Sequence, residues 1–98
     1  MKLAQTLPDF AADLEMALLN LGRGDLVVQL QKAALQRWTY DDFTDATYLF
    51  LGPTACSERL SLYDELGVNV DTDDRGQLCG IEILEGRAIA ARLENSEA

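Results

Sequence analysis

Ninety-eight residues, 48% of them hydrophobic and 26% charged, are enough for one globular domain with its own core. No apolar run nears the ~20 residues of a membrane helix, and the N-terminus carries proline and acid where a secretory leader is apolar, so a cytoplasmic chain is expected, and from its short loops a prokaryotic one. The absence of histidine removes Ser-His-Asp and Cys-His catalysis, histidine-ligated zinc and an imidazole proton shuttle, and a net charge of −9 disfavours nucleic acid.

The charge is unevenly placed. Residues 1–40 balance Lys2, Arg23, Lys32 and Arg37 against Asp9, Asp13, Glu15 and Asp25, whereas residues 41–98 set four arginines against thirteen acids. Such a field attracts a basic protein surface and speeds the encounter; its simpler role is solubility.

In chain order, residues 1–36 read as a helix pair. Thr6 is a candidate N-cap, Pro8 fits the first turn, and Phe10, Leu14, Ala17, Leu18 and Leu21 form one apolar face. Gly22 ends that helix at C′. Asp25 is a candidate cap for a second helix with Leu26, Leu30, Ala33 and Ala34 inward, and the short link favours an antiparallel pair.

Residues 37–94 read as β-rich. Strands are expected over 37–40, 46–51, 58–63, 67–72 and 77–84, with a turn at 41–45, a stop at Gly52-Pro53, and a short C-terminal helix over 85–94, with fraying over 95–98. Short connections make antiparallel pairing the default. The result is one α+β domain over 1–98, a helix pair packed on a mainly antiparallel sheet of about five strands.

The last hairpin admits two registers. A four-residue loop, 73–76, sets Val70 opposite Cys79 and Val68 opposite Ile81; a two-residue loop, Arg75-Gly76, sets Val70 opposite Ile81 and Val68 opposite Ile83. Both keep the same residues inward because they differ by an even shift, and a three-residue loop with a bulge would break the match. Asn69, Asp71, Leu78, Glu82 and Leu84 then face outward. With Leu49 and Leu51 raising the same question on the second strand, a cover for that face is expected, from a helix or a second subunit, hence a homodimer.

The run from Thr39 to Leu51, with Tyr40-Asp41 and Asp45 before an aromatic strand, and the Asp/Gly hairpin ending Gly80-Ile-Glu-Ile-Leu84, resembles a small prokaryotic family catalogued as domain of unknown function 2283. The resemblance covers about 38–92. It implies a compact β-rich domain and no established activity. The helical N-terminal third and a longer, more acidic segment at 57–66 depart from the family pattern.

Candidate sites are weighed against plainer accounts. Asp71, Asp73, Gly76 and Glu82 fall at positions one, three, six and twelve of an EF-hand-like loop, but Arg75 occupies a ligand position and a hairpin turn explains the same residues, so no metal is expected. Asp41, Asp42 and Asp45 beside Tyr40 suit a turn, where aspartate bonds its own backbone, better than a carboxylate catalytic pair. Glu82, a charge between isoleucines, points outward, with Arg59 its candidate partner. Trp38, Tyr40, Tyr48 and Phe50 are mainly core candidates rather than a base-stacking platform. Cys56 and Cys79 read as buried reduced thiols.

These residues predict no catalytic site and no cofactor. The expectation is a non-enzymatic protein-interaction module, antitoxin-like or adaptor, binding a small basic protein through Asp64, Glu65 and Glu82, with no nucleic acid and no membrane. The alternatives are a carboxylate-based or metal-dependent hydrolase and a structural homodimer.

Overall fold

A computed structural model describes residues 1–53 and 55–97. Its elements run α1 (Leu3–Thr6), α2 (Pro8–Asn20), α3 (Gly24–Lys32), β1 (Arg37–Asp41), β2 (Ala46–Phe50), β3 (Glu58–Leu62), α4 (Tyr63–Leu66), β4 (Val68–Thr72), β5 (Leu78–Ile83) and α5 (Arg87–Glu97). The fold is α+β, as the patterning predicts.

The N-terminal third departs from a simple pair. A one-turn helix, α1, precedes α2; Pro8 opens α2, and the backbone of Leu7 leaves helical geometry before it. Thr6 does not cap α2. Its hydroxyl donates back to the Lys2 carbonyl at 3.2 Å. Leu3 and Leu7, outside the expected stripe, are fully buried, while Leu21 is exposed. Asp25 lies inside the first turn of α3 and pairs with Arg23 at 3.2 Å rather than capping. Gly22 does end α2: at φ +73° it carries a Schellman closure, with Arg23 N donating to Leu18 O at 2.9 Å and Gly22 N to Leu19 O at 3.0 Å.

All five strands pair antiparallel in the order β1-β2-β5-β4-β3. The register puts Leu49, Ile81, Val70 and Leu60 on one line across the sheet. Leu49, Leu51, Leu62, Val68, Val70, Ile81 and Ile83 join Leu14, Leu18, Leu26 and Leu30 of the helices, and Leu93 of α5, in one core. Every helix that supplies the core therefore packs on the same sheet face. Leu49 and Leu51 point into this core and do not raise the outer-face question the sequence posed. Tyr48 and Phe50 lie between them on the other face, so they are not core residues, whereas Trp38 packs against the core.

The last hairpin takes the register Val68 opposite Ile83 and Val70 opposite Ile81, but not through a two-residue loop. Thr72 pairs with Leu78 across a five-residue turn, 73–77, and a bulge at Cys79 absorbs the odd residue. The bulge corrects the expectation that an odd insertion would upset the core face: it lies beyond Val70 and Ile81, so their parity is kept. Gln29 of α3 clamps this turn. Its amide donates to Gly76 O at 3.1 Å, and its carbonyl accepts from Leu78 N at 2.6 Å.

Two smaller corrections concern segment ends. A helical turn, α4, replaces the end of the third strand and closes at Gly67, φ +67°. Helix α5 continues to Glu97 instead of fraying from 95; Ala98 lies outside the described residues.

Candidate functional site

On the sheet face opposite the core, strand alternation brings Tyr48, Glu82, Asn69, Asp71 and Arg59 together from four strands. Asp71 is the centre, and it is only 5% exposed although it sits on the outer face. Arg59 donates to it twice, at 2.7 and 3.0 Å, and the Tyr48 hydroxyl donates at 2.6 Å. Glu82 accepts from Arg59 at 3.3 Å and from Asn69 at 2.9 Å. The expected Arg59–Glu82 pair is present, but Asp71 is the stronger partner.

The electrostatics follow from this geometry. Burial, and then the bond to Asp71, push the Tyr48 phenol well above its ordinary range. The bonds to Asp71 hold the Arg59 guanidinium still more firmly protonated. The network therefore joins a neutral phenol and two carboxylates to one guanidinium. Beside them Arg37 stacks 3.7 Å over the Phe50 ring, which packs against Tyr48 at 4.7 Å between centroids.

The calcium-like residues have other occupations. Asp71 and Glu82 are bonded as above, and Asp73 accepts from Arg75 N and Gln77 N, each at 2.9 Å, closing its own hairpin turn around Gly76 at φ +76°. Among the described residues no cluster of three or more cysteine or acidic side chains is arranged to hold a metal ion.

A second feature emerges from the topology. The β1–β2 turn, α4 and the exit of β5 lie at one end of the sheet, because Asp41 pairs with Ala46, Val68 with Ile83, and Gly86 N donates to Asp45 O at 2.8 Å. Asp41, Asp42, Asp45, Asp64, Glu65 and Glu85 lie at that end, and Arg87 faces the β1–β2 turn, where it meets the Tyr40 hydroxyl. Asp64 and Glu65 are exposed, and Glu65 also borders a shallow groove on α2 with Asp13, Met16 and Asn20. Glu82 is one register step inward, on the open face, where its partners among the described residues are Arg59 and Asn69.

The turn at this end is built, not loose. Asp41 accepts from Phe43 N at 2.9 Å, the Tyr40 hydroxyl donates to Asp45 at 2.7 Å, and Arg87 donates to that hydroxyl at 3.4 Å. Asp45 takes the left-handed conformation at φ 55°. Phe43 is thereby held out to solvent, 94% exposed, and Tyr63 at the start of α4 is exposed too. Sequence reasoning passed over both aromatics, because a lone aromatic in a polar segment has no periodicity to place it.

The cysteines correct an expectation outright. Cys56 and Cys79 are not two buried thiols but a disulfide, with Cα atoms 5.9 Å apart. Twenty-three residues separate them in sequence; the bulge in β5 and the return of the chain from β2 to β3 bring them together. A spacing pattern reports only local neighbours and could not reveal this.

The sequence signature of a family described as protein of unknown function (DUF2283) matches residues 37–85. No curated protein and no solved structure matches the chain. The match runs from the first residue of β1 to the exit of β5 and stops short of α5, a narrower span than the 38–92 expected from the sequence.

Proposed function

Since the chain belongs to the DUF2283 family and its matched segment is the sheet with its acidic end, without the N-terminal helices or α5, we propose that it is a non-enzymatic interaction module that docks a basic protein at that end. The observation carrying this reading is Phe43, an almost fully exposed aromatic fixed by a hydrogen-bonded turn among Asp41, Asp42 and Asp45. Exposed aromatics on rigid supports are typical anchors of protein interfaces, and surrounding charge selects the partner and steers it. The occupant is a basic segment with an apolar side chain for Phe43. Masking a small basic protein, as an antitoxin or adaptor does, is the concrete version, in the cytoplasm.

The test starts from a low-salt pull-down, but capture alone is not support. Kinetics on the captured protein decide. Charge reversal at Asp64 or Glu65 slows association more than it speeds dissociation, Phe43→Ala speeds dissociation, and both leave the fold intact. Reversal at Glu82 also disturbs Arg59, so it is scored only where its melting temperature is unchanged. An acidic partner, or an on-rate indifferent to salt and to these substitutions, overturns the proposal and leaves the charge as a solubility device.

A homodimer is the second reading, favoured by the open face itself. Tyr48 and Phe50 lie there with no covering helix among the described residues, and the face carries both signs, Arg37 and Arg59 with Asp41 and Glu82. Sedimentation at high micromolar concentration shows a dimer under this reading; a monomer there removes it.

A further inference from the structure

The two sulfurs of the disulfide sit in unlike surroundings. Cys79 lies in the β5 bulge, 2% exposed, with its sulfur 3.4 Å from the Asp71 carbonyl oxygen. Cys56 lies on the exposed connection from β2 to β3, with its sulfur 3.6 Å from the Tyr48 hydroxyl. Both cysteines border an open cleft of about 410 Å³ that Tyr48, Phe50 and Gly52 also line, but Cys56 is exposed to it and Cys79 is buried at its floor. A thiolate arriving from solvent meets Cys56 first, and Cys79 stands behind it.

We propose that this pair is a thiol-exchange site, with Cys56 the modified residue and Cys79 the resolving one. A low-molecular-weight thiol of the glutathione class, as its thiolate, attacks Cys56 Sγ. The new sulfur–sulfur bond forms as the Cys56–Cys79 bond breaks, and Cys79 leaves as a thiolate that takes a proton from water. A second thiolate then attacks the sulfur of the first reagent, frees the Cys56 thiolate and departs as the small-molecule disulfide. Two electrons reach the protein, and two thiols are oxidised. In the reverse direction, Cys79 displaces the small thiol from Cys56 and restores the bridge. Exchange depends on which sulfur can be reached and on the leaving thiol, and this geometry assigns both roles.

The surroundings connect the bridge to the open face. Leu51 N donates to Cys79 O at 3.0 Å and Ser57 N to Thr72 O at 2.9 Å, so backbone bonds hold both ends of the connection when the bridge opens. The change is therefore local: Cys56 leaves the Tyr48 hydroxyl, and one wall of the cleft is released.

The experiment uses the intact chain and reduced glutathione as the probe. After an acid quench, peptide mass spectrometry finds the mixed disulfide on Cys56 and none on Cys79. In Cys79→Ser, glutathione disulfide labels Cys56 and the adduct persists because nothing resolves it. In Cys56→Ser, Cys79 stays unlabelled while the chain is folded, as judged by circular dichroism in the same sample. An adduct on Cys79, equal labelling of both sulfurs, exchange only in denaturant, or two free thiols in the air-oxidised chain overturns the proposal. Because the readout is sulfur chemistry alone, it stands or falls apart from the basic-partner reading.

Discussion

Gly80 and Tyr48 share one space on the open face. A Cβ at residue 80 would lie 2.6 Å from Cε1 and Cζ of the Tyr48 ring, so only glycine lets the phenol lie across β5 and reach Asp71. Gly80→Ala should cost about 1–3 kcal/mol in urea denaturation, the usual range for overpacking. Tyr48→Ala in the same chain should recover part of that loss; a strictly additive double mutant would show that the two residues do not compete. Tyr48 also sets an alkaline limit. Its folded value lies above the ordinary phenol value of 10.0, so between that pH and the folded value the unfolded chain loses a proton the native chain keeps. This contribution is fully present below pH 10 and is lost as pH rises beyond it. Absorbance titration at 295 nm should show a late-ionising phenol that Tyr48→Phe removes. A wild-type curve identical to that of the variant would refute the assignment.

At the scale of elements, α5 is a closing brace although it lies outside the matched segment. The Thr47 hydroxyl, fully buried, donates to Gly86 O at 2.8 Å and fixes where the helix starts, and Leu93 enters the core 1% exposed. Leu93→Ala should lose about 2–5 kcal/mol, as buried leucines do, with an unchanged denaturant slope. A loss below about 1 kcal/mol, the scale of surface changes, would mean that α5 is dispensable. The β4–β5 hairpin holds by two independent means, its own Asp73 bonds and the Gln29 clamp. Gln29→Ala should therefore raise amide exchange at Leu78 while the ladder from Val68 to Val70 stays protected.

For the whole molecule, the acids are a directional property. Topology gathers six of them at one sheet end, while Asp71 and Glu82 on the open face are paired with Arg59. Exposed charges are screened beyond ~8 Å at physiological salt, so partner on-rates should fall steeply between low and physiological ionic strength. The same field should keep the chain off DNA and RNA at all but the lowest salt; retention on a nucleic-acid column at 0.15 M ionic strength would contradict it.

Periodicity and turn chemistry made much of this fold readable in the chain alone. The α+β class, the five strands, Gly22 as a helix stop, the Asp/Gly hairpin and the outward direction of Glu82 all depend on neighbours within a few residues or on parity along a strand. Tertiary structure decided the rest. Strand order made Asp71 the buried centre of a network, placed Asp64 and Glu65 at the end that carries Phe43, set Tyr48 and Phe50 on the face opposite the core, and joined Cys56 to Cys79. Those outcomes depend on which strands become neighbours and where a bulge falls, and the packing of the whole core settles both.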